Sequence, residues 1–277
     1  EIRLSLVGSE MCIRDSRNDV TFASLTRNPG AVVNFTSSQN FGQPGNNVGL
    51  FFDVAPATVF GGFLGSWAIS NTNDYAAYSL SLGVGTVGQG GFVGYDGDFG
   101  PGKITQLTAV ADRTITLPSG GATTGALRLA AGATLDLAFA AAGDVLNLEQ
   151  GGLLRSNNNN ASTLGTTTTR GVITAGGTTA SGVSELIVFG NQNTLTINSR
   201  LRDNGAGAAL RLIKDGANTV VLTAPNDFTG GTQVNRGTLT VAPTTAGDVV
   251  LPAGGLTIMG AGQDQGCLLY TSPSPRD

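Results

Sequence analysis

Residues 205–241 read GAGAALRLIKDGANTVVLTAPNDFTGGTQVNRGTLTV, and residues 248–258 read DVVLPAGGLTI. Apolar residues alternate with polar ones in short segments, and Gly, Asn and Asp separate these segments. The alternating pairs are Leu210/Leu212, Val220/Leu222, Leu239/Val241 and Leu256/Ile258. No segment between them is long enough, or rich enough in helix formers, for a crossover helix. A chain that turns this often can bury its apolar faces by stacking each coil on the last. The sequence therefore predicts an all-β, right-handed parallel β-helix (β-solenoid).

The same alternation of apolar and polar residues in short segments extends toward the N-terminus as far as Gly125. Further alternating pairs occur at Leu127/Leu129, Leu135/Leu137, Leu146/Leu148 and Leu195/Ile197. We therefore predict a solenoid over residues 118–266. Residues 17–117 are less regular and are predicted to form an irregular β region or a solenoid cap, with strands near 20–22, 31–35 and 48–54. The run Asn157–Asn160 favours a loop tip over a turn with stacked amides.

Both ends of the chain look like translated sequencing adapter. The adapter oligonucleotide ATG TGT ATA AGA GAC translates to MCIRD, the sequence of Met11–Asp15, and its reverse complement runs into codons that translate to the sequence of Cys267–Ser272. We therefore predict that residues 1–16 and 267–277 are adapter-derived and that the chain is a metagenomic fragment. The alternative is a native terminal strand and a Pro-rich tail. Both cysteines lie in these segments, so no disulfide is predicted in the rest of the chain.

The composition excludes several classes of function. The chain has 42 glycines among 277 residues, 12% charged residues, no histidine and a net charge of −4. A weakly acidic chain offers no electrostatic footprint for nucleic acid, and no apolar run reaches the roughly 18 residues of a membrane helix. Without histidine, a Ser-His-Asp triad cannot form. No cofactor is predicted, and the composition is typical of long secreted bacterial surface proteins.

One loop has two features that suggest a ligand. Gly97–Lys103 fits the first part of a phosphate-binding loop, but Ile104 replaces the required Ser or Thr and a strand follows instead of a helix. The anion site of such a loop needs that helix N-terminus. Asp96 and Asp98 could contribute to a calcium site, but the loop lacks the further acidic ligands that calcium requires. We therefore predict a solvated, Gly-rich turn.

An enzyme is the main alternative to a structural protein, since some parallel β-helices cleave polysaccharides. Such sites need clustered carboxylates, whereas the acidic residues from position 112 to position 248 are spread singly, mostly beside turn residues. They are Asp112, Asp136, Asp144, Glu149, Glu185, Asp203, Asp215, Asp227 and Asp248. We predict no enzyme and keep a carbohydrate-active β-helix (lyase, hydrolase or glycan-binding module) as the alternative. Trp67, Tyr75 and Tyr78 are predicted to pack in a core or cap, with stacking on a sugar as their alternative role.

Residues 212–241 resemble the autotransporter-associated β-strand repeat, also called the passenger-associated transport repeat. The matching positions are Lys214, Gly216, Leu222, Asn226, Gly230, Gly231, Thr232, Val234, Gly237, Thr238 and Leu239, with Phe228 where the family usually has Tyr. Asn218 stands where the family often has Gly, and Asn tolerates a left-handed backbone. Gly230 and Gly231 are predicted to form a corner that needs glycine, with Phe228 filling it. A looser likeness to large bacterial envelope proteins covers most of residues 60–260.

The resemblance implies a biological setting. It suggests a structural stalk in the passenger of a bacterial surface protein, secreted or outer membrane-associated, with adhesion as the setting. Export through a barrel translocator, or an anchor elsewhere in the parent protein, is likewise implied by the family. The expected ligand is a glycan or another molecule of a host or cell surface.

Overall fold

The computed structural model describes residues 2–5, 18–37, 41–42, 48–156, 160–245, 248, 250–252, 254–259 and 266–271. Within these residues every regular element is a β-strand, which confirms the all-β prediction. The chain divides into two compact units, Glu1–Tyr95 and Asp96–Asp277. In the described part of the chain, no helix is long and apolar enough to cross a membrane.

The described residues of the first unit form eight strands in three small sheets. These strands are β1 (Ile2–Ser5), β2 (Asn18–Phe22), β3 (Ser24–Arg27), β4 (Val33–Phe35), β5 (Val48–Phe52), β6 (Ala68–Ser70), β7 (Asp74–Ser79) and β8 (Gly83–Thr86). β1 pairs antiparallel with β3, and β2 pairs parallel with β5. The third sheet has the order β4-β6-β7-β8 and is parallel only between β4 and β6. The strands predicted near 20–22, 31–35 and 48–54 are thus present as β2, β4 and β5.

Aromatic residues form the core of the first unit. Phe52 lies between Phe22 and Tyr78, with ring centroids 6.2 and 5.8 Å away. Phe35 and Phe41 are also buried in this cluster. A small region with few long strands therefore obtains its buried apolar area from large rings.

In the part of the second unit that the structure describes there are sixteen strands. They are β9 (Ile104–Ala109), β10 (Arg113–Thr116), β11 (Gly121–Ala131), β12 (Leu135–Ala138), β13 (Val145–Arg155), β14 (Ser162–Leu164), β15 (Val172–Ala175), β16 (Gly182–Gly190), β17 (Leu195–Ile197), β18 (Arg200–Leu201), β19 (Ala208–Asp215), β20 (Thr219–Leu222), β21 (Thr232–Val234), β22 (Gly237–Val241), β23 (Leu256–Ile258) and β24 (Gly266–Tyr270). Every strand pairing in this unit is parallel, as expected when each coil lies on the previous one.

Two parallel sheets run along the second unit. A seven-stranded sheet has the order β10-β12-β14-β17-β20-β22-β24, so each circuit of the chain adds one strand to it. A nine-stranded sheet contains β18-β15-β13-β16-β19-β21-β23 together with β9 and β11. This arrangement confirms the parallel β-solenoid. The parallel strand pairing of the solenoid begins at β9. This strand lies inside the range 17–117, which is predicted from the sequence to be an irregular β region or cap.

A continuous apolar core lies between these sheets. Leu127, Leu153 and Val188 are consecutive partners in register on β11, β13 and β16, and all three are fully buried. Leu135, Leu137, Leu195 and Ile197 of the other sheet belong to the same cluster. The apolar pairs identified in the sequence are therefore the inward-facing residues of the coils.

The final coil departs from this pattern. Leu256 and Ile258 pair in register with β21, yet they remain 48% and 45% exposed. β23 is the last strand of its sheet among the described residues, so no further coil covers its side chains.

Parts of both predicted adapter segments also form strands. Residues 2–5 pair with β3, and residues 266–270 pair with β22, where Leu268 packs against the core. An unpaired sheet edge accepts a strand through backbone hydrogen bonds, with little regard to the side chains of that strand. Cys12 and Asn157–Asn159 lie outside the described residues, and Cys267 is an exposed free thiol.

Candidate functional site

The repeat-like segment 212–241 makes a little more than one circuit of the second unit. It begins within β19, continues through β20 and β21 and ends with β22. β19 pairs with both β16 and β21, and β20 pairs with both β17 and β22. The segment therefore has a neighbouring coil on each side, and its side chains can contact both.

The apolar residues of the segment face the core. Leu222 and Phe228 are each 1% exposed, while Val234 and Leu239 are fully buried. All four belong to the main cluster of the second unit. The prediction that Phe228 fills the corner before Gly230 therefore agrees with its burial. Their contribution is hydrophobic, about 1.5–3 kcal/mol for each fully buried large side chain.

Lys214 replaces an apolar residue in the buried column of the nine-stranded sheet. Its in-register partners are Val188 and Val234, and its side chain is fully buried. The Nζ atom donates hydrogen bonds to the carbonyl oxygens of Asp215 at 2.9 Å, Gly216 at 2.6 Å and Arg236 at 3.2 Å. The first two acceptors are on its own coil and the third is on the next coil. Lys214 therefore connects two successive coils by hydrogen bonds inside the core.

The environment of Lys214 changes its acidity. Burial lowers the pKa of Lys214 to about 7; the Asp215 carboxylate opposes this shift, and the Arg236 guanidinium adds to it. Removal of an ammonium group from water disfavours its charged form, which explains the direction. An ammonium can donate to all three carbonyl oxygens, whereas a neutral amine has two N–H donors.

The Asp215 carboxylate joins the same two turns from outside. Its Oδ1 accepts from Arg236 Nε at 3.0 Å, and its Oδ2 accepts from Asn235 Nδ2 at 3.1 Å. Asp215 is nearly buried, and the Arg236 side chain is about one-third exposed. The sequence does not identify this pair, because the two residues are 21 positions apart and meet only when the coils stack.

Asn226 connects its coil with both neighbours. Its Oδ1 accepts from the backbone N–H of Leu201 at 2.7 Å, and its Nδ2 donates to Val250 O at 2.7 Å. The residue is buried, so these two bonds satisfy polar groups that water does not reach. Loss of the amide would leave partners unsatisfied on two different coils.

The glycines of the repeat serve two different purposes. Gly216, Gly231 and Gly237 have φ values of 82°, 86° and 70°, in the left-handed region that favours glycine. Gly230 is not among the residues with positive φ, so the prediction that both corner glycines need a glycine-only conformation was wrong for Gly230. Its requirement is spatial instead, because an added β-carbon would lie 2.5 Å from Leu210 O.

Asn218 also differs from its prediction. It does not have a positive φ, so the left-handed residue of this turn is Gly216 and not Asn218. The Asn218 side chain is buried, and neither of its polar atoms has a hydrogen-bond partner among the described residues. Gly190 lies so close that an added β-carbon would be 2.5 Å from Asn218 Nδ2. Thr238 N donates to the backbone oxygen of Asn218 at 3.2 Å, so the main chain here does pair.

Carboxylates elsewhere in the solenoid accept hydrogen bonds from backbone N–H groups of adjacent coils. The acceptors Asp112, Asp136, Asp144 and Asp203 bind the N–H groups of Thr134 at 2.9 Å, Thr163 at 2.7 Å, Gly120 at 2.8 Å and Thr229 at 2.8 Å, respectively. Asp203 also accepts from Thr229 Oγ1 at 2.7 Å. Burial raises the pKa of Asp203, but the hydrogen bonds from Thr229 and Leu210 outweigh it and lower the pKa overall.

The remaining acidic residues considered in the sequence do not come together either. Glu149 accepts from Gly102 N at 2.6 Å, and Asp227 forms a bidentate ion pair with Arg200. Glu185 lies on β16, and Asp248 lies beyond β22. Among the residues that the structure describes, no three His, Cys, Asp or Glu side chains are grouped as a metal site would require.

The loop before β9 is held by an ion pair. Lys103 Nζ lies 2.7 and 2.6 Å from the two carboxylate oxygens of Asp98, and Asp96 accepts from Ile104 N at 3.2 Å. The hydrogen bond with Lys103 lowers the pKa of Asp98, and the same bond raises the pKa of Lys103. A strand follows Lys103, as predicted, so the loop lacks the helix N-terminus that a phosphate-binding loop uses.

The three aromatic residues considered for glycan contact differ in exposure. Tyr75 and Tyr78 are 1% and 8% exposed, which agrees with the prediction of core packing. Trp67 is half-buried, and the Arg27 guanidinium lies 5.6 Å from the centroid of its ring. Among the three, the ring with accessible surface for a sugar is therefore that of Trp67.

The geometry of the segment 212–241 agrees with one comparison with known proteins. A family model described as the passenger-associated-transport-repeat matches residues 212–241. Neither a comparison with curated proteins nor one with solved structures finds a match. The matched range begins at Leu212 on β19 and ends at Val241 on β22, and it contains the buried Lys214, the two-sided Asn226 and the Gly230–Gly231 corner. The chain thus carries a passenger-associated-transport-repeat at residues 212–241 of a parallel β-solenoid.

Proposed function

We propose that the chain is a structural stalk segment in the passenger of a bacterial autotransporter. The observation that carries the proposal is how the repeat uses its polar residues. Lys214, Asp215 and Asn226 bind groups of adjacent coils, and the described acidic residues of the other coils largely do the same. A segment that uses three of its buried polar side chains to bind adjacent coils suits a rigid spacer that holds another part of the protein away from a surface.

The location and partners form part of the same proposal. We place the parent protein at the bacterial cell surface, secreted or associated with the outer membrane, with adhesion as the setting. Its partner in export is a barrel translocator or another anchor of the parent protein, and its outer ligand is a glycan or a host-surface molecule. We assign residues 1–16 and 267–277 to sequencing adapter, residues 17–117 to an irregular β region or cap that ends in the first solenoid strands β9 and β10, and residues 118–266 to the stalk.

Surface display tests the export part of this proposal. The full chain is expressed in a Gram-negative host between a secretion signal and an outer-membrane barrel. Protease added to intact cells then reports how much of the chain is outside. We expect efficient display of the unchanged chain and reduced display of Gly230→Ala, because that substitution weakens coil stacking. Gly205→Ala is the matched control, since nothing lies within 4 Å of the β-carbon that it would add.

Two outcomes would contradict the proposal. Retention of the folded, unchanged chain inside the outer membrane would argue against a passenger segment. Release of reducing sugars from common polysaccharides by the purified chain would argue for the carbohydrate-active alternative, provided that the activity disappears when a single carboxylate is replaced. Equal display of the Gly230 and Gly205 variants would show that the stacking of the repeat is irrelevant to export.

A further inference from the structure

A groove in the second unit is lined by three arginines, two of which also bond to later coils. We propose that this groove binds an acidic polysaccharide, through the carboxylate or sulfate groups of the sugar. The arginines are Arg170, Arg200 and Arg202, and the groove has a volume of about 350 Å³. Protein sites for small ligands usually measure roughly 300–1,000 Å³, so the groove suits a short stretch of a polymer.

The solenoid places these arginines on two adjacent coils. Arg200 and Arg202 flank Leu201, which is fully buried, so both of their side chains lie on the outer side of the strand. Arg200 is the in-register partner of Val172 on β15, and Arg170 comes two residues before Val172. Neighbouring strands of a sheet are about 4.8 Å apart, so the three arginines can line one groove from two adjacent coils.

The three arginines are not equally neutralised. Arg200 forms a bidentate ion pair with Asp227, with distances of 3.0 and 2.7 Å. Arg170 binds neutral acceptors, the nearest being Thr244 Oγ1 at 2.7 Å. The Arg202 side chain forms no hydrogen bond with any residue that the structure describes. Two positive charges thus remain available in a chain whose net charge is −4.

The walls of the groove favour a sugar over a simple anion. Val172, Pro225 and Ala142 also line it and provide apolar surface beside the guanidinium groups. The C–H faces of a sugar ring can pack on such surface, while a guanidinium binds carboxylate or sulfate oxygens through two parallel hydrogen bonds. Nucleic acid fits less well, because it requires a row of phosphate contacts on a strongly basic surface.

Calorimetric titration of the full chain at low salt tests the proposal. The ligands are hexagalacturonate (carboxylated), a heparin hexasaccharide (sulfated), cellohexaose (neutral), a DNA hexanucleotide and sodium sulfate. We expect binding of one or both acidic hexasaccharides, weaker binding as sodium chloride is added, and no binding of cellohexaose. Arg202→Gln should weaken binding about tenfold, the effect of one charge-assisted hydrogen bond, and Arg202→Glu should abolish it. Arg113→Gln is the matched control, because Arg113 is an exposed arginine on β10 of the other sheet.

Several results would overturn the proposal. Failure of both acidic hexasaccharides to bind would show that the groove is not a binding site for an acidic polysaccharide. Equal weakening by the Arg202 and Arg113 substitutions would show that attraction to the whole surface, and not this groove, is responsible. Sodium sulfate or DNA binding as tightly as the hexasaccharides would disprove the preference for a polysaccharide. Because Arg202 forms no side-chain hydrogen bond, its variants should keep the unfolding midpoint of the parent chain, and circular dichroism checks this.

Discussion

Replacement of Gly230 by alanine gives a direct test of how closely the coils approach. The added β-carbon would lie 2.5 Å from Leu210 O and 2.6 Å from the carbonyl carbon. Close contacts between carbon and a carbonyl oxygen are normally about 3.3 Å or longer, so the two coils must separate locally by about 0.8 Å. The hydrogen bond from Gly230 N to Leu210 O, 2.8 Å long, would then be stretched beyond its normal range.

These effects combine into a measurable loss of stability. Overpacking costs about 1–3 kcal/mol, and a weakened backbone hydrogen bond adds about 1 kcal/mol. Alanine has fewer backbone conformations than glycine in the unfolded chain, and this lower entropy offsets about 0.5 kcal/mol of the lost stability. We therefore expect Gly230→Ala to lower the free energy of unfolding by about 1.5–3.5 kcal/mol, measured by urea denaturation followed by far-ultraviolet circular dichroism.

Two companion variants separate the two possible causes of a loss of stability, which are close packing between coils and backbone strain at positive φ. Gly182→Ala should cost about 1–2 kcal/mol, because Gly182 has a φ of 70°, where alanine is strained, and nothing lies within 4 Å of the β-carbon that it would add. Gly205→Ala should leave the unfolding midpoint unchanged or slightly raised, because Gly205 has open space around it. A Gly230 variant that unfolds within about 0.5 kcal/mol of the Gly205 variant would refute the close approach of the coils, since surface substitutions fall in that range.

Three further predictions concern polar residues of the solenoid. Lys214 has a pKa of about 7 in the folded state against about 10.4 when unfolded, so the unfolded chain binds more protons between these values. Stability should therefore rise with pH from 7 to 10, by at most about 1.4 kcal/mol per unit, and urea midpoints for Lys214→Met should lack this rise. Asn218→Ala should stabilise the chain by about 1 kcal/mol in the same assay, because it removes buried polar atoms that have no partner, and a loss of stability would show that Asn218 has a partner after all. Asp203→Ala should cost about 1–2 kcal/mol at pH 7 through its lost hydrogen bonds. Since the folded pKa of Asp203 is lowered, this difference should shrink as the pH falls below about 4, whereas Asp98→Ala should have no measurable effect at pH 7.

The sequence predicts the coils well because their strands depend on local patterns. Alternation at Leu210/Leu212 and Val220/Leu222 is enough to place β19 and β20, and the glycine pair at Gly230–Gly231 marks a corner. These signals come from residues a few positions apart, and they report the conformation of a strand or turn regardless of what lies next to it. The parallel solenoid follows once no helix is available to cover the strands.

The contacts between coils are less predictable, because they depend on which turns become neighbours. Asp215 and Arg236 are ordinary turn residues in the sequence and become an ion pair only through stacking. For the same reason, Gly230 is restricted by the backbone of another coil rather than by its own φ. The burial of Lys214 could not be inferred either, since a lysine on a strand is normally expected at the surface. Residues that bridge coils would have to be sought at a spacing of one circuit.

The short length of every circuit has a consequence for how the chain folds. In-register partners on successive coils are between 19 positions (Thr219 and Thr238) and 35 positions (Gly152 and Ile187) apart. The contacts between Leu201 and Asn226, Asp203 and Thr229, and Asp136 and Thr163 join residues 25, 26 and 27 positions apart. Closing a loop of this length costs roughly 3 kcal/mol in chain entropy beyond a constant, and that cost does not depend on how many coils have already formed. The cost depends only on the logarithm of the length, so each new circuit meets an entropic barrier similar to that of the one before it. A folding front can advance along such a chain at a steady rate, whereas folding slows in a β-sandwich, whose pairings join distant parts of the sequence.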